Sequence, residues 1–224
     1  EDEARQKAYE YFDLAIKENN FEVLLEKADT GRILSRLKEE GATLCKDLFE
    51  VQKRSAFRPF LLEAKIGEGK IEPMSLEFGG KKVELKGTID RVDKLGDKFI
   101  IIDYKTYKSA DLTLKELYSG QKIQLYVYMR AVEKSLDAKP CGVFYFPVFS
   151  SFTDESGNRY KYKGQACDSR ETLGLIDEMV TSNPDCAIVP FKTDRKGENL
   201  NPEIHLSKEG FDKLGDYAVA IAGE

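Results

Sequence analysis

The sequence predicts a mixed α/β fold, a β-sheet flanked by helices. Three observations carry this. The stretch from Gly87 to Thr106, GTIDRVDKLGDKFIIIDYKT, reads as two strands joined by a tight turn. A segment of helical period follows, with Leu125, Met129, Val132 and Leu136 on one face. A further apolar run, CGVFYFPVF from Cys141 to Phe149, comes next. Hairpin, crossover helix and returning strand are the ingredients of a mixed sheet with helices packed on it.

Taken in order, residues 2–27 and 29–50 are predicted as helices, with Tyr9, Phe12, Ile16, Ile33, Leu37, Leu44 and Leu48 at helical spacings and Asp29 or Thr30 as N-cap. They make residues 1–56 a helical N-terminal segment ahead of a core with a C-terminal helical extension at 57–224, in all one domain of 224 residues. Phe60 to Ile66 forms a strand after the turn-prone Arg58-Pro59, and Gly67, Gly69 and Pro73 mark loop. Val83, Leu85 and Ile89 alternate with polar residues as in a half-buried strand. Phe99 to Ile102 is a continuous apolar run suited to burial on both faces. Lys108 to Asp111 is polar loop; Thr113 and Glu116 then make a capping box, and Gly120 interrupts the helix they open. From Gln121 the helical pattern resumes. Pro147 marks the Cys141–Phe149 strand as an edge strand or as bent near its end. A turn and polar strand in DESGNRYKYKG, a helix over 170–182, an extended piece over 188–191 and a helix over 207–221 complete the chain.

Composition narrows the class. No run of about 18 apolar residues is present to span a bilayer, and the acidic helical start resembles no signal or transit peptide. The four cysteines, Cys45, Cys141, Cys167 and Cys186, lack C-x-x-C spacing. They read as reduced thiols in a cytoplasmic protein. The net charge of −5 argues against a stand-alone nucleic-acid binder. Its distribution softens this: residues 1–50 hold 8 basic and 13 acidic side chains, residues 81–108 hold 8 and 5.

The hairpin is where chemistry can gather. If Gly96 and Asp97 are a two-residue loop, Leu95 pairs with Lys98, and counting outward sets Asp90 opposite Asp103. Lys105 shares their face, roughly 6–7 Å farther along the strand. Directly opposed carboxylates repel one another and call for a cation between them. An all-oxygen site with retained waters suits Mg²⁺ or Mn²⁺, and the adjacent ammonium suits a substrate phosphate. Either half alone reads equally as a solvated strand end; the joint pattern favours a site. On the following helix Gln121, Gln124 and Tyr128 share a face, as a buried polar seam or as part of that site. The single histidine, His205, lies in an edge-like stretch and reads as a surface or packing residue.

G-T-I-D-R-V-D followed by I-I-D-Y-K-T resembles the core of the RecB/AddB branch of the PD-(D/E)-x-K nucleases. Gly120, Gln124, Leu125 and Tyr128 match that branch's downstream G-x-x-x-Q-L-x-x-Y. The segment order is most similar to the C-terminal nuclease domains of AddB subunits of bacterial helicase–nucleases. The likeness is good over roughly residues 50–150 and weaker on the flanks. It implies a restriction-endonuclease-like fold and a Mg²⁺- or Mn²⁺-dependent DNA exonuclease acting in double-strand-break repair, with DNA and an AddA-like subunit as partners. It implies Asp90, Asp103 and the Tyr104 carbonyl as metal ligands. Lys105 would position the attacking water or offset charge on the phosphate, and Gln124 and Tyr128 would reach phosphate or water. Glu63 resembles a position preceding the core hairpin. The family also implies an upstream helical histidine and an iron–sulfur cluster, neither of which can be built from this sequence. The expectation that follows is a fragment of a larger subunit; the alternative is a nuclease-fold scaffold or DNA-binding module that no longer cuts.

Overall fold

A computed structural model of the chain describes residues 2–25, 28–78, 81–106, 112–148 and 160–223. It comprises two compact units, Glu1–Arg54 and Ser55–Glu224.

The first unit is helical: α1 (Asp2–Glu18), α2 (Glu22–Leu25) and α3 (Ala28–Arg54). The expected first helix is cut short because Asn20 takes a left-handed conformation (φ 55°) and Asn19 turns its amide onto the Ala15 carbonyl at 2.8 Å. Both are ways in which asparagine ends helices. Helix α3 begins at Ala28, so Asp29 lies in its first turn and pairs with Arg32 instead of capping. Arg5 and Tyr9 on α1 both bond Glu39 on α3, each at 2.8 Å.

The second unit is built on a six-stranded sheet, in the order β1 (Arg58–Lys65), β4 (Thr88–Leu95), β5 (Lys98–Lys105), β6 (Lys139–Pro147), β7 (Lys163–Cys167) and β8 (His205–Leu206). A separate hairpin pairs β2 (Met74–Phe78) with β3 (Lys81–Leu85). The alternation through Val83, Leu85 and Ile89 thus belongs to two strands in two sheets, divided at Lys86-Gly87. Strands β4 and β5 are antiparallel, and β5 and β6 are parallel through the crossover helix α5 (Gln124–Leu136). This is the mixed sheet that the hairpin, helix and returning strand predict.

Helix α4 (Leu114–Tyr118) carries the predicted capping box between Thr113 and Glu116. Residues 108–111 lie outside the described residues. Beyond Gly120 (φ 75°) and Lys122 (φ 52°), α5 starts only at Gln124, so Gln121 is not on it. The helix expected over 170–182 is two, α6 (Arg170–Ile176) and α7 (Met179–Ser182), parted at extended Asp177. Asp177 is fully buried, and its carboxylate accepts from Met179 N and Ile188 N. The last helix, α8 (Lys208–Ala222), capped by Ser207, packs with α5 over β6.

The core lies on both faces of the central strands. Phe99, Ile100, Ile101 and Ile102 are each at most 2 % exposed. On one face, the Tyr126 hydroxyl of α5 bonds Gln165 of β7. Gln165 stands opposite Val143, which pairs with Ile101, which pairs with Val92. Opposed residues share a face and side chains alternate along a strand, so α5 covers the face that also bears Asp90 and Asp103.

Candidate active site

Leu95 pairs with Lys98 and Arg91 with Ile102, the register expected of a two-residue turn at Gly96-Asp97. The next residues outward are Asp90 and Asp103. Gly96 takes φ 57°, the left-handed conformation such a turn requires. The two acids therefore oppose one another at the open end of the hairpin, on the face beneath α5.

Their surroundings differ. Asp90 is half-buried, and its Oδ2 accepts from the Tyr104 backbone N–H at 2.8 Å, which fixes the carboxylate beside β5. Asp103 is buried. Desolvation raises its pKa above the ordinary aspartate value and the nearby Asp90 charge adds to this, while Lys105 opposes both. The Lys105 ammonium forms an ion pair with Asp103 Oδ2 and lies 4.7 Å over the Tyr145 ring. Oδ2 is buried, and this ion pair is its only side-chain partnership among the described residues.

The family-like D-R-V-D segment contains a second acid, and the fold gives it another task. Arg91 and Asp93 point to the opposite face, where Arg91 Nε and Nη2 bond Asp93 Oδ1 and Oδ2, each at 2.6 Å. Burial alone would lower the guanidinium pKa; the two-pronged Asp93 carboxylate overrides that and holds it above the arginine norm. Arg91 also donates to the Tyr104 hydroxyl at 3.3 Å. That bond ties the β4 pair to β5 behind the site. The i, i+2 spacing of Arg91 and Asp93 was the available sign of this.

Gln124 and Tyr128 meet on α5, with Gln124 Nε2 donating to the Tyr128 hydroxyl at 2.7 Å. Tyr128 is buried, its hydroxyl seated against Gly87, where a Cβ would come within 2.6 Å. Gly87 precedes β4 and lies three residues before Asp90, so the hydroxyl sits at the same end of the sheet. This close approach escaped sequence reasoning, although Gly87 heads the motif. Glu63 is exposed on β1 with φ 49°, strained for a residue with a side chain, at the register position facing Asp90.

Among the described residues no three His, Cys, Asp or Glu side chains converge as a metal site. The oxygen donors at the hairpin end are Asp90, Asp103 and the Tyr104 carbonyl. His205 is elsewhere: its Nε2 accepts from Lys192 N at 3.1 Å and its Nδ1 faces the Cys167 carbonyl at 3.2 Å.

Comparison with known proteins decides the family. The PD-(D/E)XK nuclease superfamily matches residues 1–202. The chain belongs to that superfamily. It is also similar to the B-type subunits of ATP-dependent helicase/deoxyribonucleases. The one from Alkaliphilus oremlandii is 31% identical over 86% of this chain and 18% of its own length. Those of Clostridium tetani and Listeria innocua are 28% and 29% identical over 92% and 96% of this chain, and 20% of their own lengths. The chain thus spans about a fifth of the length of the relatives it matches. Membership accords with the mixed sheet and places the opposed aspartates and Lys105 within a nuclease fold. No helix among the described residues is long and apolar enough to cross a membrane.

Proposed function

We propose that this chain is the metal-dependent deoxyribonuclease domain of a helicase–nuclease subunit, hydrolysing phosphodiester bonds in DNA double-strand-break repair beside an AddA-like partner. The observation that carries the reading is the hairpin register, which sets buried Asp103 across the strand pair from Asp90 with the Lys105 ammonium ion-paired to it. A fold gains no stability from two opposed acids, one of them desolvated.

The donor set fits Mg²⁺ or Mn²⁺. It is all oxygen, and Mg²⁺ is commonly held by one or two carboxylates with waters and substrate phosphate. Asp90, Asp103 and the Tyr104 carbonyl would hold the ion, which when bound lowers the pKa of a water and polarises the scissile phosphate. The Tyr104 N–H keeps Asp90 oriented, so the carboxylate needs little reorganisation. Lys105, released from Asp103, offsets charge growing on the phosphate oxygens in the transition state. Tyr128 accepts from Gln124 and has its own proton left to donate to a phosphate oxygen or the attacking water. No side chain forms a covalent intermediate.

The test is cleavage of linear DNA by the full-length protein with and without Mg²⁺. Asp103→Ala should abolish cleavage while circular dichroism stays that of the wild type, because removing one of two opposed charges relieves repulsion. Lys105→Ala should lower turnover about 10²–10³-fold without weakening metal affinity. Full activity in either variant would overturn the assignment. A folded protein that holds DNA but never cuts would favour the scaffold reading.

A further inference from the structure

We infer that Cys141 and Cys167 form a redox-active dithiol, which a peroxide converts into a disulfide stapling β6 to β7. The inference goes beyond the nuclease reading and does not depend on it.

The β6–β7 register brings the two cysteines together. Gly142 pairs with Ala166, and the next step outward sets Cys141 against Cys167. Directly opposed residues of antiparallel strands have Cα atoms about 4.5–5.5 Å apart, within the range of roughly 4.4–6.8 Å that a disulfide spans. At the same point β6 slips by one residue against β5: Phe99 pairs with Pro140 and Ile100 with Gly142. Cys141 is the extra residue of that bulge, a device that re-aims a side chain. The two thiols bond one another. Each also lies near one backbone carbonyl, Cys141 Sγ 3.9 Å from that of Lys139 and Cys167 Sγ 4.0 Å from that of Ser169. Neither is in a disulfide. A buried cysteine alone is only a small apolar side chain. Two that face and bond each other are a dithiol.

Their chemistry is asymmetric. The Cys141 thiol donates to Cys167 and holds the Cys167 thiol below the ordinary cysteine pKa, against the desolvation that burial imposes. The same bond, together with burial, pushes the Cys141 thiol up. Cys167 is therefore the sulfur that attacks, and Cys141 the proton-bearing thiol that resolves. Cys167 keeps 8% of its surface exposed at the end of β7, so the oxidant must be small and uncharged. Hydrogen peroxide meets both demands. The Cys167 thiolate attacks one peroxide oxygen and the O–O bond breaks. The departing hydroxide takes from solvent the proton that Cys167 gave up, and leaves as water. The Cys141 sulfur then attacks the sulfenic acid on Cys167. The S–S bond forms, the S–O bond breaks, and the leaving hydroxide carries off the Cys141 proton as a second water. Two thiols are oxidised and one peroxide is reduced to two waters. The cluster around Asp103 is untouched, because Cys141 lies toward the opposite end of β6 from Tyr145, the residue paired with Asp103.

Peroxide treatment of the 224-residue chain, followed by mass spectrometry of an unreduced digest, tests the assignment. The expected product is a peptide pair joined through Cys141 and Cys167, lighter by two hydrogen atoms than its parts and lost on adding dithiothreitol. The cross-link removes freedom from the unfolded chain, so the thermal midpoint should rise by about 5–10 °C and fall back under dithiothreitol. In Cys141→Ser, dimedone should trap a sulfenic acid on Cys167; in Cys167→Ser it should trap none on Cys141. Equal trapping in the two variants would overturn the roles given to the two sulfurs. A wild-type chain that forms no Cys141–Cys167 cross-link, or whose midpoint oxidation leaves unmoved, would overturn the staple however the variants behave.

Discussion

A methyl group at Gly87 would meet the Tyr128 hydroxyl at 2.6 Å and ring atom Cε1 at 2.9 Å, the end of a buried side chain. The ring must shift to make room. Gly87→Ala should cost about 1–3 kcal/mol by overpacking, read from the urea midpoint. It should also lower turnover about tenfold by moving the hydroxyl away from Gln124 and the hairpin end. Tyr128→Phe should act similarly, and the double variant should be no worse than the weaker single one. Additive losses would show that Gly87 acts by another route. Asp90, Asp103 and Lys105 were legible as one cluster because alternation and a Gly-Asp turn fix which residues oppose each other. The Gly87–Tyr128 contact was not, since it depends on the path of a crossover helix far along the chain.

At the scale of elements, local chemistry was readable wherever its partners are near in sequence. Thr113 and Glu116 are three apart, and their capping box forms as the spacing predicts. Thr113→Ala should cost about 1 kcal/mol, read from the urea midpoint, if α4 unfolds with the rest of its unit. The breaks at Asp177 and at Lys86-Gly87 were hidden because distant partners set them: Ile188 N for the first, the choice of β2 over β1 for the second. His205 on β8 is a similar case. Burial lowers its pKa below 6.5; the Cys167 carbonyl and Asp168 pull it back, and Arg170 adds to the fall. Its Nε2 must stay unprotonated to accept from Lys192 N. A depressed folded-state pKa means that the unfolded chain takes up the proton first. Stability is thus complete above about pH 6.5 and declines as pH falls through the folded-state value. The urea midpoint should drop on acidification from about pH 7 to about pH 5, and His205→Gln should flatten that dependence. An unchanged slope in the variant would assign the acid sensitivity to other groups.

On the scale of the whole molecule, the proposed catalytic cluster is thinly supported, and this chain should be a poor enzyme by itself. Two carboxylates and a carbonyl leave most of the Mg²⁺ coordination to water, which this ion gives up reluctantly without substrate oxygens. No third His, Cys, Asp or Glu joins them among the described residues. The resting Lys105–Asp103 ion pair competes for the same oxygen. Electrostatics adds a second handicap: a net charge of −5 opposes the approach of a polyanion, and basic patches of few lysines are screened as salt rises. The relatives are about five times longer, which leaves ample additional surface to hold DNA in place. The expected outcome is weak Mg²⁺ and Mn²⁺ binding without DNA, together with very low cleavage of linear DNA at moderate salt. Lowering the salt should improve DNA binding, because fewer condensed counterions then compete for the phosphates. Calorimetric titration with each ion alongside the cleavage assay checks both. Tight metal binding with efficient cleavage, lost in Asp103→Ala, would show that Asp90, Asp103 and Lys105 suffice as they stand, and that neither added ligands nor added DNA-binding surface is needed.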